Sequence, residues 1–360
     1  MKKKLQEIFK NFFYWFFKKI YGPIKIDNKS NNFTVFKIES NELKNFYNQN
    51  YKIYYVPKGR IYTDNIEHVG IIDNNHLCDE VSYQQIKGEL KDISFNICIK
   101  KGTPRLKKYF KGRTLNLTQG ASGNSNYAHW LFDMLPKIRI YQEKYNLKDL
   151  SNIYVNKLNE FQKNSFELLD LGNIKIIDSN KFRHIQSDEI IATQHPNYFK
   201  GFIMQEHKNL PEWIIHWLRE SFLKKSELKD QFEKIFIDRS KSKFKHCQII
   251  NYDETVNFLI NSGFRILRLE NLKFSEQISI FNKSKIIVGA HGAGFANLTF
   301  CNTNTKVIEI RPLNHPNAIY ERVSKINKLD YKLYATKIES MSNPNGDIQI
   351  NVDELKSLIK

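Results

Sequence analysis

Apolar and polar residues follow different periods along this chain, and each change of period marks a different kind of structure. In the first 22 residues Leu5, Ile8, Phe9, Phe12, Phe13, Phe16 and Ile20 recur at three- and four-residue spacing, with Glu7, Asn11, Tyr14 and Lys18 on the other side. That spacing predicts an amphipathic helix. Between 23 and 115 the pattern shortens to segments such as FTVFKI, YKIYYV and VGIID, separated by polar turns, which reads as a β-rich region. From about 125 onward, helix-length and strand-length apolar stretches alternate. A helix over 126–145, strand 153–155, helix 161–171 and strands 174–177 and 189–192 come first. A long helix over 211–225 follows, opening at Pro211, a residue suited to a first helical turn. A second series runs from strand 234–238 through helix 252–261, strand 264–269, helix 275–283, strand 286–288, helix 295–300 and strand 306–310. It finishes with helix 318–327, strand 331–335 and helix 353–359. Such alternation predicts a doubly wound α/β domain. With 360 residues there is chain enough for two domains. The pattern places them at 23–205 and 232–360, joined by a linking helix within 206–231 and preceded by the amphipathic helix of 1–22.

Composition sharpens this picture in three places. The formal net charge of +18 implies anionic partners such as nucleotides, nucleic acid or an anionic membrane, without choosing among them. The apolar stretch around Phe12–Phe17 is far shorter than the roughly 20 residues that span a bilayer, and no small-residue cleavage site follows it. Its basic and aromatic residues suit a helix lying in the membrane interface; docking on the protein's own core is the alternative. Cys78, Cys98, Cys247 and Cys301 are widely spaced and form no C-x-x-C pair, which argues against a zinc knuckle and fits a reducing cytosol.

Candidate chemistry lies in three segments. The stretch 286–310, IIVGAHGAGFANLTFCNTNTKVIEI, reads as strand, Gly-rich turn, short helix and strand. Gly289, Gly292 and Gly294 let the backbone bend and approach a ligand, and the N–H groups opening the helix favour an anion. His291 and Asn297 are placed to donate to a phosphate or a sugar hydroxyl, and Glu309 to accept from ribose. A tight turn without a ligand is the plain alternative. In 120–139, GASGNSNYAHWLFDMLPKIR, Asn126, His129 and Asp133 share one helix face. His129 and Asp133 are an i, i+4 pair in which the carboxylate orients the imidazole as a general base. An ordinary polar helix face would look the same. In 235–254, IFIDRSKSKFKHCQIINYDE, Arg239 closes a strand ahead of Lys241, Lys243, Lys245 and His246. A guanidinium backed by lysines suits a phosphate, and a solvated basic loop is the alternative. The sequence contains no D-x-D triplet, no G-x-S-x-G and no H-E-x-x-H, so neither a metal-held diphosphate nor those hydrolase and metalloprotease sites are indicated.

Taken together, NYAHWLFDMLPKI at 126–138, the strand–Arg–basic loop–Asn segment from Ile235 to Asn251, and VGAHGAGFANLTFC…VIEI at 288–310 resemble glycosyltransferase family 61, in the same order. FSEQISIF at 274–281 fits the helix before the last motif. The resemblance covers roughly 120–312. It implies a GT-B-like fold, two facing Rossmann-like domains with an interdomain cleft, and inverting transfer from a nucleotide sugar, commonly a UDP-sugar, without an obligatory metal or other cofactor. By position, Arg239 with Lys243 or Lys245 would hold the diphosphate, the His291, Gly292, Gly294 and Asn297 turn would meet the same phosphates, and Glu309 the ribose. His129 and Asp133 would serve the acceptor. The family's basic loop often carries a second Arg where this chain has Lys243, Lys245 and His246, and a lysine cannot reproduce a bidentate contact. The expectation is a cytoplasmic enzyme of surface or capsular polysaccharide synthesis, held at the inner face of the membrane by residues 1–22 and acting on a glycan or lipid-linked glycan. The alternative is a non-catalytic basic protein that binds nucleic acid or anionic glycans. No RRM, KH or zinc-finger pattern is visible, and no nucleic-acid partner is expected.

Overall fold

The computed structural model describes residues 2–26, 32–64, 68–82, 84–118, 125–197, 201–202, 206–226, 232–242, 246–313, 315–316, 318–336 and 346–360. The chain forms two compact units: Met1–Asn159 with Leu171–Glu206, and Glu160–Asp170 with His207–Lys360. Both contain parallel strands with helices, the α/β class expected.

In the first unit the β-rich region and the alternating region share one nine-stranded sheet. Lys175–Asp178, Asn152–Val155, Lys108–Asn116 and His184–Thr193 run parallel in that order. On its far side His184–Thr193 pairs antiparallel with Arg60–Thr63 through its first residues and with Lys52–Pro57 through its last. A bulge between Ser187 and Glu189 interrupts its parallel pairing. The apolar faces of both halves therefore meet in one core that includes Val56, Ile61, Ile71, Tyr154, Ile185 and Ile190.

The second unit holds a five-stranded, all-parallel sheet. Its spatial order is Arg265–Leu267, Lys234–Ile237, Ile286–Ala290, Lys306–Pro312, Asp330–Thr336. In chain order this is 2-1-3-4-5. The direction of winding reverses between Lys234–Ile237 and Ile286–Ala290, and in such sheets ligands bind at the carboxyl ends of the two strands flanking that reversal. The central strands are continuous apolar runs because helices cover both faces: Ile235, Ile287, Val288, Val307, Ile308 and Ile310 are all fully buried.

Two expected boundaries move. The helix Glu160–Leu168, assigned by pattern to the N-terminal domain, belongs to the second unit, where Asn164 Oδ1 accepts from the Ser275 amide at 3.2 Å. The helix Glu212–Phe222 is no linker. Trp213, Ile214, Ile215, Trp217, Leu218 and Phe222 are buried, and Arg219 donates to the carbonyls of Thr299 and Cys301 at 2.8 and 2.6 Å. An amphipathic period says that a helix buries one face, but not against which core.

Candidate functional site

In the second unit the predicted phosphate turn lies at the reversal point. The strand Lys234–Ile237 leads into Asp238 and Arg239, and Ile286–Ala290 leads directly into His291 and Gly292. Asp238 shapes the first exit: its Oδ1 accepts from the Ser240 amide at 2.8 Å and its Oδ2 from Arg268 Nε at 2.7 Å. Those bonds hold the carboxyl below its usual range against the opposing effect of burial. Arg239 then lies over the glycine turn. Its Nη1 donates to the His291 carbonyl, and its Nη2 stands 3.2 Å from His246 Nε2. A Cβ on Gly292 would come within 2.5 Å of the guanidinium carbon, so a larger residue here would displace Arg239.

His291 Nδ1 is bonded to the Glu309 carboxyl, whose other oxygen accepts from the Tyr331 hydroxyl. The His291 ring also lies 3.9 Å, centroid to centroid, from His315. Burial, then Arg239 and His291, push His246 down to about 4. Burial, followed by His291, Arg311, His246 and Arg239, pushes His315 down to about 3. Two neutral histidines crowded by cations mark a pocket of positive potential, the electrostatics of an anion site. A cavity of about 60 Å³ opens beside Arg239, bounded by Ser240, Cys247, Gln248 and Tyr252.

Two predicted contacts have different parts. Glu309 is fully buried with both oxygens engaged by side chains, so it positions His291 and is not open to a ribose. Asn297 is fully buried, donating to Gln277 Oε1 at 2.9 Å and to the Gly294 carbonyl at 3.1 Å; it braces the turn. The short helix expected over 295–300 is a 3₁₀ helix, Ala293–Phe300. Gly294 lies close to Leu269, whose Cδ1 would be 2.7 Å from an added Cβ. Lys243 and Lys245 lie outside the described residues. Among the described residues no group of three or more His, Cys, Asp or Glu is placed to hold a metal ion.

In the first unit Asn126 caps the helix that carries His129, its Oδ1 accepting from the amides of Ala128 and His129 at 2.9 and 3.3 Å. Its side-chain oxygen is thus used by the helix, where a substrate contact was expected. The helix is not uniform: a π turn occupies Trp130–Met134, with the Leu135 amide bonded to the Trp130 carbonyl at 3.0 Å. Pro136 supplies the reason, because its ring crowds the carbonyl four residues back and it has no N–H to offer. Such wide turns recur at functional sites.

His129 Nδ1 meets Asp133 Oδ2 at 2.6 Å, with the histidine side chain 18% and the aspartate 1% exposed. The predicted i, i+4 pair is therefore formed. Asp133 Oδ1 accepts from Asn197 Nδ2 at 3.3 Å, and the Asn197 amide donates to His195 Nδ1 at 3.0 Å. Beneath them lies Lys137, fully buried, donating to the Thr118 carbonyl at 3.3 Å. Burial pushes its ammonium down to about 7, while Asp133 pulls the other way. Sequence reading singled out none of Lys137, His195 and Asn197. Lys137 stands four residues after Asp133, a readable spacing, but the last two arrive from another strand's end and leave no local signal.

The model of glycosyltransferase family 61 matches residues 127–308, just over half of the chain. The chain belongs to glycosyltransferase family 61. The match takes in His129, Asp133, Lys137, Arg239, His291, Gly292, Gly294 and Asn297, and stops one residue short of Asn126 and Glu309. A relative is the EGF domain-specific O-linked N-acetylglucosamine transferase of Drosophila melanogaster, 27% identical over 126 residues. That alignment covers 34% of this chain and only 23% of the fly enzyme. Among solved structures, a dodecameric iron-containing heptosyltransferase in complex with ADP-D-beta-D-heptose aligns over 82% of this family 61 chain and 81% of its own. It does so at 10% identity and a TM-score of 0.33.

Proposed function

We propose that this family 61 chain is an inverting glycosyltransferase that moves a sugar from a nucleotide sugar, a UDP-sugar by preference, to a glycan or lipid-linked glycan of a surface polysaccharide. The observation that carries the donor side is the convergence of Arg239 on the His291–Gly292 turn at the winding reversal, with His246 and His315 held neutral beside it. A diphosphate bound there meets a guanidinium and the turn's backbone, where negative charge grows as the sugar leaves. The charge is neutralised by the side chains, without an obligatory metal. In the first unit, His129 takes the proton of the attacking hydroxyl. With Nδ1–H committed to Asp133, Nε2 is the basic atom, and the imidazolium that forms is stabilised by the carboxylate.

The N-terminal helix supports a cytoplasmic enzyme resting on the inner face of the membrane. It is not docked by its apolar side: Leu5, Ile8, Phe9, Phe12, Phe16 and Ile20 are all exposed. No described helix is long and apolar enough to cross a membrane.

The test is thermal shift with UDP, GDP, CMP and TDP, with and without Mn²⁺, on the wild type and Arg239→Ala. A ligand of the native state alone raises Tm. Stabilisation by one nucleotide, independent of Mn²⁺ and lost in the variant, is expected. No shift with any nucleotide would overturn the donor assignment and leave the basic binding-protein reading.

A further inference from the structure

The N-terminal helix Lys2–Tyr21 is fastened to the first unit through Phe17, Lys18 and Tyr21. Phe17 is buried. Lys18 Nζ donates to the Lys100 carbonyl at 2.7 Å, and the Tyr21 hydroxyl accepts from the Lys107 amide at 3.0 Å. Tyr21 also stacks edge-on against His184 at 5.0 Å. Gly102 makes the close approach of the two segments feasible: a Cβ there would sit 2.9 Å from the Lys18 stem, and its φ of +67° favours glycine. At 100° per residue, Phe17, Tyr21, Tyr14 and Lys18 fall on one side and Leu5, Phe12, Phe16 and Phe9 on the opposite one. The apolar arc therefore points away from the body of its unit.

Between the helix and the Lys100–Lys101 segment lies a groove of about 540 Å³, walled by Lys10, Tyr14 and Lys18 on the helix and by Lys100 and Lys101 opposite, with Glu7 its one acid. Lys101 lies 3.7 Å from Asp64 and over the Tyr14 ring at 5.7 Å. Lys10 and Lys100 belong to no ion pair among the described residues. Trp15 borders groove and arc alike, lining the first and standing 57% exposed beside the second. An amphipathic ring at such a boundary suits the headgroup level of a bilayer.

We propose that this groove holds the phosphate of an anionic phospholipid while the arc from Leu5 to Ile20 lies among the acyl chains. The inference rests on the membrane association proposed above and adds a headgroup site to which the body of the enzyme contributes Lys100. Charge complementarity selects the occupant: four lysines, of which Lys101 is paired with Asp64, against one glutamate, open beside an apolar surface, match a phosphate attached to a hydrocarbon chain. The same groove fixes which face of the first unit lies toward the membrane.

The experiment is co-sedimentation of the full chain with phosphatidylcholine vesicles, and with vesicles that also contain phosphatidylglycerol, comparing wild type, Lys10→Gln/Lys100→Gln, and the distant pair Lys148→Gln/Lys157→Gln. Unchanged melting of each variant shows that it folds. The groove pair is expected to weaken partitioning to phosphatidylglycerol vesicles on the order of 30-fold, to leave partitioning to phosphatidylcholine unchanged, and to exceed the distant pair's effect at least fivefold. Equal losses in the two pairs, or no loss in the groove pair, overturn the headgroup site while membrane association stands. Failure of the wild type to bind either vesicle overturns both. A dimer by light scattering, dissociated by Phe12→Glu/Phe16→Glu in a chain that binds no vesicle, would assign the arc to a second copy.

Discussion

Replacing Gly292 with alanine tests whether the glycine turn works through Arg239. The backbone there has φ 168°, extended and open to any residue, so the substitution adds no strain of its own. The added methyl would lie 2.5 Å from Arg239 Cζ and 2.6 Å from Nε and Nη1. Ordinary contact needs roughly 3.5 Å, so the guanidinium must retreat by about 1 Å. It is a flexible side chain and can do so, giving up the Nη1 bond to the His291 carbonyl. The cost to folding is one hydrogen bond, about 1 kcal/mol. The cost to nucleotide binding is a charge-assisted contact worth roughly 1.5–3 kcal/mol, or about 10- to 150-fold in Kd. Gly294→Ala is the control. Its Cβ would meet Leu269 Cδ1 at 2.7 Å, so it disturbs packing and leaves Arg239 alone. Isothermal titration with the nucleotide identified by thermal shift, alongside urea unfolding, reads both quantities. Gly292→Ala should lose affinity with little stability, and Gly294→Ala stability with little affinity. The double variant Gly292→Ala/Arg239→Ala should bind no more weakly than Arg239→Ala, because one contact cannot be lost twice. Fully additive losses, or an unchanged Kd in Gly292→Ala, would refute the reasoning.

Three further outcomes follow from the site. His129→Ala should lower kcat by about 10²–10⁴ with little change in donor affinity, and Asp133→Asn should lower it less; near wild-type turnover in His129→Ala would sink the base assignment. His246 and His315 have folded values of about 4 and about 3, below the unfolded 6.5, so the free protein keeps their contribution to stability above pH 6.5 and loses it as pH falls toward those values. A bound diphosphate favours their protonated forms, so binding at pH 6 should take up protons, read as a dependence of the titration enthalpy on buffer, and His246→Gln should reduce the uptake. Lys137, at about 7 when folded and 10.5 when unfolded, should make the wild type gain stability between pH 7 and 10.5, since the unfolded chain binds the extra proton there. Lys137→Met should flatten that rise, and urea midpoints at pH 7 and 9.5 check it.

Local pattern determined a good deal of this protein by itself. The glycine turn between two apolar strands, the i, i+4 spacing of His129 and Asp133, the strand ending in Arg239 and the amphipathic period of the first 22 residues are all properties of short segments. Backbone geometry turns such spacings into shared faces whatever surrounds them. Partner choice needed the tertiary structure. Glu309 reads as a ligand contact at a strand end, yet its carboxyl is consumed by His291 and by Tyr331, which comes from the neighbouring strand. Asn297 is drawn to Gln277, twenty residues away. Asn197 reaches Asp133 across 64 positions. The helices 160–168 and 212–222 show the period of half-buried helices, and only packing decided that both belong to the second unit. The N-terminal helix makes the same point in reverse. Its apolar stripe suits either a membrane interface or the protein's own core, and the contacts that hold it run through Phe17, Lys18 and Tyr21 and leave the stripe outward. A side chain's spacing fixes the direction in which it points, but what it meets there depends on parts of the chain that no local pattern contains.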